Sequence, residues 1–262
     1  MLIIKNISKT FFPGTINEKA ALQDLSLTLG EGEFVTVIGG NGAGKSTLLN
    51  SIAGGIRVDK GTISINGCDI TNLPLHKRAS LIGRVFQDPM KGTIANMSLS
   101  ENLALASRRG KPLGLRWGIN DGKAFRDKLK ELGLGLEDRM DTKVGLLSGG
   151  QRQAITLMMA ILQKPELLLL DEHTAALDPK TAKKILQLTE TLVRERNQTT
   201  LMITHNMKDA IQLGNRLIMM DEGKIVLDLS GEEKSQLTVA SLLEAFEAKS
   251  DKQFEDSTLL AV

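Results

Sequence analysis

The chain has 262 residues, 41% hydrophobic and 24% charged, with a formal net charge of +2. That balance suits a globular protein built as one large domain or as a core with an inserted lobe. So small a charge gives no argument for nucleic acid by field alone, and the absence of tyrosine, the lone Trp117 and only 3% aromatic residues argue against stacking platforms for single-stranded nucleic acid.

Cys68 is the single cysteine. It excludes an intrachain disulfide and a cysteine metal cluster, and it fits a reducing, cytosolic setting. The start, Met1-Leu2-Ile3-Ile4-Lys5-Asn6-Ile7, lacks the apolar stretch and cleavage site expected of a signal peptide. No stretch approaches the roughly 18 apolar residues of a spanning helix. A membrane role would therefore need other chains to do the spanning.

Residues 1 to about 86 read as strands with a loop and a helix. Glu33 to Ile38 is a β-rich run that ends at glycines, and Lys45 to Ala53 places Leu48, Leu49 and Ile52 on one helical face. Gly54-Gly55 stops that helix, and Thr62 to Gly67 alternates and then turns like a half-buried antiparallel strand. From about 88 to 160 the texture changes to a mostly helical lobe, broken at Gly110, Pro112, Gly114 and Gly118, with helical spacing over Asp121 to Leu132 and Gln151 to Leu162. Leu167-Leu168-Leu169-Leu170 reads as a parallel strand buried on both faces. A helix from Pro179 to Glu195 follows, with proline at its start. Thr200 to Ile203, Arg216 to Met220 and Lys224 to Leu227 are further strands, and the tail from Ser230 holds one amphipathic helix, Val239 to Ala248, before turning polar.

Gly39-Gly40-Asn41-Gly42-Ala43-Gly44-Lys45-Ser46-Thr47 fits the phosphate-loop pattern, after a strand and opening a helix. Glycines let backbone N–H groups approach phosphates, and the helix N-terminus adds its positive end. Lys45 is expected to reach the β- and γ-phosphates, and Ser46 to ligate Mg²⁺. Asp171 and Glu172 end the buried leucine run, at the edge where open α/β sheets bind ligands. Asp171 can hold Mg²⁺ and Glu172 can act as general base on an attacking water. A capping acid pair is the plainer alternative, but its place after a phosphate loop and a fully apolar strand favours catalysis.

Leu147-Ser148-Gly149-Gly150-Gln151 would be an ordinary N-cap on its own. With the phosphate loop and the Asp171-Glu172 pair, it makes the set resemble the nucleotide-binding subunit of an ABC transporter. The resemblance runs over about residues 2 to 230. It implies an α/β fold: a P-loop NTPase core with mixed sheet, an N-terminal antiparallel β subdomain and an inserted helical subdomain. The ATPase domain would be 1–230, with the lobe of about 88–160 inserted, and 231–262 a helical and polar tail.

The same resemblance assigns further roles. Gln87 would sense Mg²⁺ and link the site to the helical lobe. Ser148, Gly149, Gly150 and Gln151 would bind the γ-phosphate held by a second subunit. Asp178, in Ala175-Ala176-Leu177-Asp178, would lie on the loop that crosses the dimer interface. His205 would contact the γ-phosphate as a switch, although a lone histidine is more often structural. An aromatic near the first strand would stack on adenine; Phe11 is preferred to Phe12. Two departures stand out: Gly40 where proline is frequent, and His173-Thr174 after Glu172 where Pro-Thr is usual. His173 puts a titratable ring beside the site and is read as tolerated. His76 reads as a surface residue.

The implied machine is an ATP-driven clamp with ATP and Mg²⁺ as ligands. Two copies, or this chain and a close homologue, would meet head to tail on the cytoplasmic face of a membrane. Polytopic permease subunits and a solute-binding protein would be its partners, without nucleic acid. Separate ATPase chains of this size are typical of bacterial importers. The segments 12–18, 92–110 and 171–174 resemble a bacterial group tied to amino-acid uptake, of tryptophan- or tyrosine-like solutes. A soluble ABC-type ATPase, for example in Fe–S cluster assembly, is the alternative. Ribosomal types usually fuse two cassettes, and DNA-maintenance types insert coiled coils. A regulatory clamp without hydrolysis conflicts with the intact Lys45, Asp171, Glu172 and His205.

Overall fold

The structure is a computed structural model that describes residues 1–110 and 122–248. Trp117, the breaks at Pro112, Gly114 and Gly118, the start of the expected helix at Asp121 and the polar end of the tail lie outside the described residues. Two long strands come first, β1 (Leu2–Phe11) and β2 (Lys19–Leu29), then β3 (Phe34–Ile38) and helix α1 (Lys45–Ala53). The short strands β4 (Lys60–Ile65) and β5 (Cys68–Asp69), helix α2 (Leu75–Arg78) and strand β6 (Ile82–Val85) follow. The lobe contributes α3 (Leu99–Ala106), α4 (Gly122–Lys130) and α5 (Gly149–Ile161). Then come β7 (Leu167–Asp171), α6 (Pro179–Glu195), β8 (Thr200–Ile203), α7 (Met207–Gln212), β9 (Arg216–Asp221) and β10 (Lys224–Ser230). Two helices, α8 (Gly231–Ser235) and α9 (Val239–Glu247), close the described chain.

The strands form two sheets. One is antiparallel, in the order β2-β1-β4-β5. The other has the order β10-β9-β3-β8-β7-β6, parallel throughout except for the β9–β10 hairpin. The leucine run of β7 shows why its strand reads as uninterrupted apolar sequence. Leu167 and Leu169 point into the core shared with α1 and the antiparallel sheet. Leu168 and Leu170 point the other way, into the core shared with α3 to α6. A strand covered on both faces has no polar positions to alternate with. Met202 and Ile203 of β8 divide between the same two cores.

A third core lies under the C-terminal helices. Leu242 and Phe246 of α9 pack with Met207 and Ala210 of α7, Ile38, Leu217, Met219 and Leu227. Lys234 of α8 is buried, and its ammonium donates to the carbonyls of Leu213 and Gly214 at the end of α7. These carbonyls are orphaned acceptors of a helix end, and a cation suits them.

Candidate functional site

The parallel strands β3, β7 and β8 point their C-terminal ends at one crevice, and a cavity of about 240 Å³ opens there. Phe11, Asn41, Gly42, Ala43, Gly44, Lys45, Ser46, Thr47, Glu172 and His205 line it, with Lys19 and Ala21. The sheet has thus gathered the phosphate loop, the acid after β7 and the histidine after β8 from three separate stretches of chain.

The loop has this shape because its neighbours leave no alternative. Gly44 is the N-cap of α1 with φ 101°, and a Cβ there would sit 2.5 Å from the Ala21 carbonyl oxygen. Only glycine fits a left-handed turn that tightly packed. The Ala43 carbonyl accepts from Gly223 N–H at 3.0 Å, pinning the loop to the β9–β10 turn. No side chain caps α1 and its first turn holds no acid, so the helix N-terminus is open to an anion. Lys45 is buried, with Nζ donating to Gly39 O at 2.7 Å and Gly40 O at 3.0 Å. The ammonium is folded over its own loop.

Glu172 takes φ 46°, a left-handed conformation that costs a non-glycine residue energy. Its backbone explains how the turn is held: its N–H donates to Ile203 O at 3.0 Å, and its carbonyl accepts from Ala175 N–H. Its carboxylate faces the cavity, where Oε1 lies 2.5 Å from His205 Nε2. An acid and an imidazole in contact beside a phosphate loop can orient a water and accept its proton.

Asp171, one residue earlier, pairs with Arg84, Nη2 to Oδ2 at 3.0 Å. Arg84 also donates to Asn50 Oδ1 at 2.9 Å, and Asn50 Nδ2 donates to Ser46 O at 2.7 Å. The guanidinium carbon lies 4.5 Å from the Phe86 ring centroid. A polar chain therefore runs from the first turn of α1 through Asn50 and Arg84 to Asp171. Sequence reading missed Arg84 and Asn50, because no motif marks an interior arginine on β6.

Mg²⁺ takes oxygen ligands, keeps several waters and needs only one or two carboxylates beside substrate phosphates. The Ser46 hydroxyl in the cavity and the Asp171 carboxylate at the end of β7 fit that donor set. Gln87 is exposed and does not line the cavity.

Ser148, Gly149, Gly150, Gln151 and Asp178 also lie off the cavity lining. Ser148 and Gln151 close a capping box at the start of α5, each side chain accepting from the other's backbone N–H at 3.2 Å. Gly150 is buried where a Cβ would collide with Thr181 of α6. Asp178 caps α6, and its bonds to Thr181 hold the carboxyl below its usual range. Of the two aromatics, Phe11 lines the cavity, whereas Phe12 is 66% exposed.

His173 does not line the cavity. It is buried against α6, with Nε2 3.0 Å from Thr189 Oγ1. The Thr189 hydroxyl donates to Ile185 O, so His173 donates from Nε2 and carries a bare Nδ1. Burial pushes its pKa down to about 4. His76 is exposed.

A phosphate loop joined to a strand-end acid on a parallel sheet defines a P-loop ATPase. Residues 22–175 match the ABC transporter family, and the chain belongs to that family. It is 49% identical over 249 residues to a tyrosine transport ATP-binding protein of Clostridioides difficile, covering 94% of this chain and 99% of that one. It is 35% identical over 232 residues to the spermidine/putrescine import ATP-binding protein PotA of Haemophilus influenzae, covering 88% of this chain and 58% of that one. A dimeric ATP-binding cassette in a post-hydrolysis state with ADP and Pi superposes with a TM-score of 0.74 at 31% identity, covering 88% of this chain and 98% of that one. The ADP form of another ABC transporter cassette gives 0.77 at 27% identity, over 94% and 98%. The mixed sheet, the antiparallel sheet and the helices are those of an ABC ATPase. The chain is an ATP-binding, ATP-hydrolysing subunit of this class.

Proposed function

We propose that this ATPase drives uptake of a tyrosine-like amino acid through separate membrane subunits. The observation that carries the substrate class is the match to the tyrosine transport protein over nearly the full length of both chains. Among the described residues no helix is long and apolar enough to cross a membrane, so the path for the solute would belong to partner permeases. The cytoplasmic face would be the place of work, and a solute-binding protein would deliver the cargo.

The reaction would be hydrolysis of ATP at the β–γ bridge. Phe11 would stack on adenine. The loop residues Gly39 to Thr47 would cradle the phosphates, with Lys45 turning from its own carbonyls to the β- and γ-oxygens. Ser46 and Asp171 would hold Mg²⁺, which when bound neutralises charge on the phosphates, with Gln87 joining as its loop swings in. Glu172 would take the proton of the attacking water, and His205 would hold water and γ-phosphate in line. Each copy would supply half of two sites. Ser148 to Gln151 and Asp178 lie off their own chain's cavity, which supports their use by a second copy. Residues 1–230 would form the ATPase unit, with 88–160 as its inserted lobe.

A second cavity, of about 430 Å³, lies between the core and the lobe and is lined by Leu75, Arg84, Phe86, Leu105 and Met159 among others. Its apolar floor beside Phe86-Gln87 suits a short helix of a membrane subunit. Arg84 belongs both to this groove and to the chain ending at Asp171. A mild-detergent pull-down from the native cell, read by mass spectrometry, tests the transport role. Recovery of a polytopic membrane protein with a solute-binding lipoprotein is expected. Recovery of cluster-assembly or ribosomal proteins alone would overturn it.

A further inference from the structure

We propose that Lys19 is a second phosphate-contacting lysine, placed on β2 to hold the α- and β-phosphates of bound nucleotide. The inference rests on the ATP-site reading above and adds a residue to it. Lys19 opens β2 and Phe11 ends β1, and the two are direct cross-strand partners. Opposed residues of an antiparallel pair project to the same face, with Cβ atoms about 4.5–5.5 Å apart. Both side chains line the cavity. The tip of this ribbon therefore offers an aromatic face and an ammonium group side by side.

The ammonium is aimed at the phosphate loop. Its Nζ lies 3.0 Å from the point a Cβ on Gly42 would occupy. Gly42 sits inside the loop, whose backbone N–H groups cradle the α- and β-phosphates, while the loop lysine reaches the β- and γ-phosphates. The two lysines thus flank the loop and divide the polyphosphate between them. A base resting on Phe11 would lead its α-phosphate past the neighbouring Lys19.

Charge agrees with the geometry. Among the described residues no acidic side chain pairs with Lys19. The acid lining the cavity, Glu172, is in contact with His205. The Lys19 ammonium and the open N-terminus of α1 present positive ends to one cavity, which a polyphosphate would neutralise. Lysine acts here as a point charge, so arginine should substitute and glutamine should not.

The test is equilibrium titration of the full chain with ADP and with ATP, over a range of salt, for the native protein, Lys19→Gln and Lys19→Arg. Lys19→Gln should weaken both nucleotides alike, by about three- to tenfold, and flatten the dependence of affinity on salt. Lys19→Arg should stay within about twofold of native. Nucleotide-free thermal midpoints should coincide for all three. Unchanged affinity in Lys19→Gln would overturn the assignment. So would a loss confined to ATP, which would place the cation at the γ-phosphate. Normal nucleotide binding by the variant together with failed pairing of two copies would move Lys19 to an interface and refute its phosphate role. A native protein that binds neither nucleotide would instead sink the ATP-site reading itself.

Discussion

Glu172 is held in a left-handed turn so that its carboxylate meets His205 at the mouth of the phosphate loop. If that carboxylate takes the water's proton, Glu172→Gln should lower ATP turnover by at least about a hundredfold. Its affinity for ATP, measured by titration, should be kept, because the proposal assigns the phosphates to the loop. His173, next in sequence, has a different role. Its imidazole is buried neutral with a pKa near 4, below the ordinary 6.5. Between those values the unfolded chain binds the proton and the folded one does not, so stability falls as pH drops from about 6.5 to about 4. The loss is on the order of 3 kcal/mol. Urea unfolding at several pH values should show that loss in the native chain and its absence in His173→Gln. Local spacing was enough to read the loop and the acid from sequence. It could not reveal Lys19, Asn50 or Arg84, whose positions at the site come from strand pairing and from contacts across the sheet.

Elements whose apolar pattern follows from burial were legible. β7, β8 and α6 stand where runs and spacing predict them, since two covered faces or one covered stripe leave a clear pattern. The helix α8 was not legible. Its fixed point is a buried lysine satisfied by carbonyls of a distant helix end, and a lysine in sequence signals solvent. Nor was α3 separable from the rest of the lobe, although its capping box, Ser98 with Glu101, is plain in hindsight. The docking of α9 yields a prediction at this scale. Phe246 is buried in the third core, so Phe246→Ala should cost about 3–5 kcal/mol in chemical denaturation. ADP affinity should be unchanged where the variant is folded, because that core lies apart from the cavity lining.

At the scale of the molecule, one chain presents a cavity lined by the loop, Glu172 and His205, while its serine-glycine turn lies elsewhere. Closure by a second copy accounts for both facts, and a dimeric cassette of similar fold holds the products of hydrolysis. On that proposal ATP would be the ligand that favours the closed pair, and its cleavage would release it. The measurement that tests this most directly is the mass in solution of Glu172→Gln with Mg²⁺ and either ATP or ADP. The account predicts twice the mass of a single chain with ATP, a single chain with ADP, and loss of the ATP-dependent pair when Ser148→Arg is added. A single chain at saturating, demonstrably bound ATP would contradict it, as would a pair that Ser148→Arg leaves intact.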